Sequence, residues 1–355
     1  MPPGGTIGIL GGGQLGRMLA MAAARLGLKT HIYSDASDAP AFEVAGAHSH
    51  ARYDDEAALA AFAAACDVVT FEFENVPSAT AQFLAERVTV NPGPLALSIC
   101  QDRLAEKTFI ASLGLKTPSF ASVDKAADIA AAIAHVGLPA VLKTCRMGYD
   151  GKGQAKINSA ADIAAALERF KGAPAILESF IPFSFEASVI AARGRDGTFA
   201  AFDPPENTHE NHILKRSTVP SRLTRAQEDE AKEIARRIGE ALGYVGVFAV
   251  ELFVADDGAL IVNEIAPRVH NSGHWTMEAC IIGQFEQHIR ACAGWPLGDG
   301  ARHADAVMEN LLGEEAADWL ALCARGGALH LYGKDKIRAG RKMGHITWLT
   351  PKRDA

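Results

Sequence analysis

Apolar and polar positions along the chain change their period several times, and each change marks an element. Thr6–Leu10 is a short apolar run of the kind a buried strand carries. After Gly11-Gly12-Gly13-Gln14-Leu15-Gly16 the apolar positions take helical spacing as far as Leu26. Lys29–Tyr33 reads as a second strand ending near Asp35, Asp54–Ala65 as an alanine-rich helix, and Val68–Phe73 as a third strand. A helix over Ser78–Glu86 and a fourth strand over Val88–Asn91 follow, closed by Pro92-Gly93-Pro94. Strands alternating with helices predict a parallel, doubly wound α/β domain at about residues 1–100.

The pattern then changes. Ser98–Leu113 predicts one helix, stopped by Gly114 with Pro118 shortly beyond. From Pro139 to Phe202 strand patterns dominate, at Ala140–Thr144, Gln154–Ile157, Ala175–Glu178, Glu186–Ala192 and Thr198–Phe202. Helical spacing interrupts at Lys125–Val136 and Ala160–Phe170, and Gln227–Leu242 is a charged amphipathic helix. Tyr244–Val254 and Leu260–Glu264 form two strands joined at Asp256-Asp257-Gly258, a hairpin turn signal. A smaller tail carries strand patterns at Leu329–Tyr332 and Ile346–Leu349. The fold expectation is therefore α/β followed by α+β.

Composition narrows the class. The 355 residues are 48% hydrophobic and 22% charged, ordinary for a globular enzyme or binding protein of two or three domains. A formal net charge of -7 gives no bulk attraction for nucleic acid. Six scattered cysteines without a Cys-x-x-Cys pair predict buried thiols in a reducing compartment, and with no secretory signal pattern the expected location is the cytoplasm. The longest apolar run, Ala57 to Cys66, is too short to span a bilayer, so no membrane partner is expected.

Several segments carry chemistry. Gly11-x-Gly13-x-x-Gly16 lies between a strand and a helix, where glycines let a phosphate approach free N–H groups, and Asp35 follows about 20 residues on. By itself this allows a dinucleotide site, a ligand-free tight turn, or a seat for another phosphorylated ligand. The second glycine loop, Arg146 to Gln154, lies between two strand patterns with Lys143 just before it, as a lid over a triphosphate would. Glu251 and Glu264 stand inside apolar strands, where carboxylates are costly unless paired or bound to a cation such as Mg²⁺. Ala266 to Trp275 groups Arg268, His270, Asn271, Ser272 and His274 in one polar loop, a plausible cradle for a phosphorylated, hydroxyl-rich molecule. Lys334 and the Gly340–His345 turn, taken alone, read as solvated basic surface.

Together these segments resemble the ATP-grasp superfamily, most closely its ATP-dependent carboxylases of purine biosynthesis. The resemblance rests on Gly11–Met18, Gly148–Gln154, Asn263–Trp275 and Gly340–His345, and so covers nearly the whole chain. It implies an ATP-grasp fold with an N-terminal parallel domain at 1–100, a central domain at 101–298 with a lid subdomain at about 115–185, and a small β-rich C-terminal domain at 299–355. It also implies a homodimer, and assigns the first glycine loop to a ribonucleotide substrate instead of a nicotinamide cofactor.

The resemblance further implies ATP at Arg103, Lys143, the lid residues Gly148, Tyr149, Asp150, Gly151, Lys152, Gly153 and Gln154, the adenine segment Glu178, Ser179, Phe180 and Ile181, and then Glu186, His209, Asn263 and Glu264. Mg²⁺ would be held by Glu251 and Glu264. The substrate 5-aminoimidazole ribonucleotide would lie near Gln14, Leu15, Glu72, Tyr149, Asp150, Arg268, His270, Asn271, Lys334, Arg341 and Lys342. Asp150, Lys152, Arg268 and Lys342 would be catalytic, with Asp150 orienting or deprotonating the substrate amine. The implied reaction joins bicarbonate to that amine through carboxyphosphate. Competing readings are a formate-using glycinamide ribonucleotide transformylase, an NAD-dependent oxidoreductase and a non-catalytic nucleotide sensor.

Overall fold

The computed structural model describes residues 1–148 and 153–353, and among these residues the strands form three sheets. The first has four parallel strands in the order Ala47–His50, Lys29–Ser34, Thr6–Leu10 and Val68–Phe71. Helix Gln14–Arg25 covers it with Leu15, Met18, Leu19, Ala22 and Ala23, the one-sided spacing that helical periodicity demands. The expected parallel domain is present, but its fourth strand is not Val88–Asn91. That segment makes one parallel bridge, Val69 to Val90, and the rim strand is Ala47–His50. An edge strand with a largely exposed Ala-His-Ser-His sequence has no apolar run by which to be recognised.

The single helix expected over Ser98–Leu113 is two, Pro94–Cys100 and Arg103–Ser112. Asp102 is the cause. Its backbone is extended and its carboxylate accepts from Leu104 N at 3.0 Å and Ala105 N at 3.2 Å, capping the second helix. The cap puts Arg103 on the first turn, with Glu106 and Lys107 one turn later on the buried side.

A nine-stranded, antiparallel sheet forms the centre. Along its path run Leu260–Ala266, Gly246–Val254, Phe185–Arg193, Glu206–Glu210, Ile213–Val219, Ala304–Leu312, Lys342–Pro351 and Ala328–Leu331, with Phe199–Ala201 paired beside Phe185–Arg193. The C-terminal strands thus continue the central sheet. Glu206–Glu210, whose polar Glu-Asn-Thr-His-Glu sequence carries no apolar run, is a strand because its neighbours supply ladder partners on both sides. The third sheet is Phe120–Val123, Ala175–Ser179, Ala140–Thr144 and Gln154–Ile157. It is backed by helices Ile129–Val136 and Ile163–Phe170. The second glycine loop joins Ala140–Thr144 to Gln154–Ile157, with Lys143 paired in register to Gln154.

His288 fastens the parallel sheet to the central one. Its Nδ1 accepts from Val247 N at 2.9 Å, so the ring hydrogen is on Nε2, 2.7 Å from Thr70 Oγ1. Burial holds His288 down at about 4, and burial also depresses His274 and His345 well below the usual imidazole range. A folded value below the unfolded one means that this stability is complete above about pH 6.5 and is lost as pH falls towards 4. At 1.36 kcal/mol per unit, His288 alone contributes up to about 3 kcal/mol. The urea midpoint is expected to decline steadily from pH 6.5 to 5, before most carboxylates titrate; a flat profile there would rule this out.

Candidate active site

Between the central and third sheets lies a cavity of about 1210 Å³. Glu251 and Glu264 meet on its central-sheet wall. They are direct cross-strand partners on antiparallel strands, so their side chains share one face, and the register slips immediately after Glu251. The turn between the strands is the expected one, with Gly258 at φ +84. Glu251 Oε1 lies 3.1 Å from His270 Nε2, and Glu264 Oε2 3.1 Å from Arg103 Nη1. Burial works to raise Glu251, but the His270 hydrogen bond and the His209 and Arg268 charges outweigh it and hold the carboxyl at about 2. Two hard oxygen donors fit a divalent cation whose remaining positions are filled by phosphate and water. Asn263 Oδ1, buried and without a hydrogen-bond partner among the described residues, adds oxygen character to the same wall.

The opposite wall carries Lys143. Its Nζ donates to Glu178 Oε2 at 2.7 Å, and Lys107 Nζ lies 3.9 Å from Glu178 Oε1. Lys107 is completely buried and also donates to the Asn263 carbonyl. Burial alone would raise the Glu178 carboxyl, yet Lys107 and Lys143 hold it below its usual range. The expected adenine segment is thus divided: the Glu178 side chain ties down two lysines, while Ser179, Phe180 and Ile181 line the cavity beyond it. Gly148 and Gln154 line it too, as does Glu186, which is paired with His209 at 2.6 Å. That pair keeps the His209 imidazole above its ordinary range, overcoming burial.

Arg268, His270, Asn271 and Lys342 close one end. Arg268 is ion-paired to Glu74, and the Asn271 side chain exchanges two hydrogen bonds with Asn310, at 2.8 and 2.6 Å. Tyr149, Asp150, Gly151 and Lys152 lie outside the described residues.

Gln14, Leu15, Glu72, Lys334 and Arg341 do not line this cavity. They form a neighbouring group around the first glycine loop, and Arg268 and Lys342 bridge to it electrostatically. Leu15 points into the apolar core, so only its backbone is free to meet a ligand. Glu72 accepts from Gly13 N at 2.8 Å and Gly16 N at 3.2 Å. The helix N-terminus that would bind a pyrophosphate is occupied by the protein's own carboxylate. A Cβ on Gly11 or Gly13 would run into Glu72, so these glycines make room for that side chain. Burial, with Arg341 and Lys342 nearby, lowers the Lys334 ammonium to about 8. Its Nζ donates to the Lys342 carbonyl at 2.7 Å, which holds the basic turn together.

Sequence reasoning passed over Glu74, Glu106 and Lys107. The signal for the last two was the spacing Arg103, Glu106, Lys107, one face of a helix.

Three family models match consecutive stretches: a ribonucleotide synthetase preATP-grasp domain at residues 5–101, an ATP-grasp domain at 108–285 and a phosphoribosylaminoimidazole carboxylase C-terminal domain at 306–355. The N5-carboxyaminoimidazole ribonucleotide synthase of Brucella melitensis is 51% identical over 355 residues, covering 99% of this chain and 98% of the relative. The Bacillus subtilis enzyme of the same name is 40% identical over 354 residues, covering 99% and 93%. The Staphylococcus aureus N5-carboxyaminoimidazole synthetase complexed with ADP superposes with a TM-score of 0.94 at 39% identity, covering 99% of this chain and 94% of that one. The Aspergillus clavatus synthase in complex with ADP and 5-aminoimidazole ribonucleotide gives 0.92 at 32% identity, covering 99% and 95%. Similarity of this extent, continuous from the first sheet to the last, means that the chain belongs to the N5-carboxyaminoimidazole ribonucleotide synthase family of ATP-grasp enzymes.

Proposed function

We propose that the protein catalyses the ATP- and bicarbonate-dependent carboxylation of the exocyclic amine of 5-aminoimidazole ribonucleotide, releasing ADP and phosphate, in purine biosynthesis. The observation that carries this reading is the facing of Lys143 and the Glu251–Glu264 pair across one cavity, in a chain 51% identical to a named synthase. Bicarbonate attacks the γ-phosphate of ATP to give carboxyphosphate, and the amine then attacks its carbon or the CO₂ it releases. Lys143 and Arg103 stabilise charge on the transferring phosphoryl group. Glu251 and Glu264 would hold Mg²⁺, which would neutralise phosphate charge when bound. Arg268 orients bicarbonate against the amine, and Lys334, Arg341 and Lys342 take the ribonucleotide's phosphate. Asp150 and Lys152 are assigned their catalytic roles from sequence alone.

Glu72 in the pyrophosphate seat disfavours the NAD reading of the first loop. The names of the relatives disfavour the formate-using one. We further propose functional units at 1–100, 101–298 and 299–355, with the lid at about 115–185, and a homodimer. Six unpaired cysteines support a reducing, cytoplasmic location. Among the described residues, no helix is long and apolar enough to cross a membrane.

ADP release measured with and without each co-substrate tests the reaction. It should require both 5-aminoimidazole ribonucleotide and bicarbonate and ignore NAD. Release supported equally by formate with glycinamide ribonucleotide would sink the proposal.

A further inference from the structure

Behind the Glu251–His270 contact runs a chain of buried polar side chains with no part in the reaction described above. Ser217 Oγ donates to Asn207 Oδ1 at 2.7 Å, and Asn207 Nδ2 donates to Ser188 Oγ at 2.9 Å. Ser188 Oγ is 2.7 Å from Ser272 Oγ, which is 2.8 Å from His270 Nδ1. Ser188, Ser217 and Ser272 are fully buried, and Asn207 nearly so. Hydroxyls can donate or accept, and an amide can be turned over, so these distances alone leave the direction of the chain undecided.

One backbone group decides it. Ser272 N–H also points at His270 Nδ1, at 3.4 Å, and a backbone N–H can only donate. Nδ1 therefore presents its lone pair. Ser272 Oγ–H donates to it, so Ser272 must accept from Ser188, and Ser188 from the Asn207 amide. Every hydrogen then runs one way, towards the imidazole. The ring hydrogen is left on Nε2, facing Glu251 Oε1 at 3.1 Å.

We propose that Ser272 and Ser188 are positioning residues that lock His270 as an Nε2–H donor to Glu251. The locked ring engages Glu251 Oε1 and leaves Oε2 as the oxygen that would meet a cation, in the way that outer partners orient the ligands of a metal site. The chain crosses three adjacent strands, Phe185–Arg193, Glu206–Glu210 and Ile213–Val219, and so anchors the Arg268–Trp275 loop to the rigid centre of the sheet. Asn207 and Ser217 continue it at the far end, where the Ser217 hydroxyl donates to Asn207 Oδ1. The inference rests on the assignment of Glu251 to Mg²⁺, except for the tautomer, which stands on geometry alone.

Two measurements separate the parts. Protein labelled with ¹⁵N in its histidine rings, with His270→Gln to assign the signal, should show His270 Nδ1 unprotonated and Nε2 protonated. The opposite tautomer overturns the proposal whatever the enzyme does. Ser272→Ala keeps the backbone N–H and removes only the hydroxyl. It should raise the Mg²⁺ concentration giving half-maximal ADP release by about tenfold, the lower end of the usual effect of losing an outer-layer partner. Ser217→Ala removes an equally buried hydroxyl at the far end and should move that concentration less than about twofold. Equal shifts in both variants, or none in Ser272→Ala, would show a merely structural chain. Wild-type ADP release that needs no aminoimidazole ribonucleotide would instead fail the functional reading and leave the tautomer result intact.

Discussion

Glu264→Gln is expected to lower ADP release dependent on 5-aminoimidazole ribonucleotide by about 100-fold or more, the scale on which a single preorganised electrostatic group acts. Glutamine keeps the shape of the side chain but loses the charge. Glu264 is the cross-strand partner of Glu251, and its side chain is 37% exposed to the cavity, so the fold should hardly notice the change. What changes is the charge balance. Arg103 loses the carboxylate 3.1 Å away, and the proposed cation loses one of its two anionic ligands. The expected signature is a lowered maximal rate with a raised Mg²⁺ requirement and an unmoved urea midpoint. Activity within a few-fold of wild type at ordinary Mg²⁺ would remove Glu264 from the metal assignment.

Lys107→Met is expected to cost about 3 kcal/mol of stability, the lower end of what breaking a buried ion pair costs. Methionine matches the unbranched stem of lysine, so little packing is lost. The loss is electrostatic. Lys107 is wholly buried between the Glu178 carboxylate and the Asn263 carbonyl. Lys143 still opposes Glu178 at 2.7 Å, which is why the lower figure applies. Burial lowers Lys107 and raises its neighbour Glu106, so both carry the strain of charge kept out of water. ATP affinity should also fall, because Lys143 is aligned by the carboxylate that Lys107 steadies. Adding Glu178→Gln to Lys107→Met should cost less than the sum of the two single losses, since it removes a carboxylate that has already lost one of its two lysines. Urea titration of the two single variants and the double variant reads this directly. Strictly additive losses would show that the two residues do not act as a pair.

The parts of this fold that were legible in sequence are those written in local patterning. The parallel sheet declared itself by short apolar runs alternating with helical spacing, and the helix Gln14–Arg25 by a one-sided stripe. The hairpin at Asp256-Asp257-Gly258 predicted that Glu251 and Glu264 could face each other, and they are register partners. The glycine loop between Lys143 and Gln154 does join two paired strands. In each case neighbours a few residues apart carry the cause.

Other features depend on residues far apart in the chain. Ala47–His50 and Glu206–Glu210 are strands because a partner strand offers its hydrogen bonds, not because their side chains ask for it. Glu72 fills the phosphate seat of a loop 59 residues earlier, a contact that the dinucleotide signature by itself does not show. Lys107 meets the Asn263 carbonyl across 156 residues, and the polar chain behind His270 joins three strands and a loop. By itself, then, the sequence determined the element types, the two glycine loops and the family, because propensity, periodicity and motif are local properties of the chain. Only the tertiary structure decided which charges share a cavity, which glycine loop faces the protein's own carboxylate and which way a hydrogen points. Those depend on distance and burial, which exist only once the chain has packed.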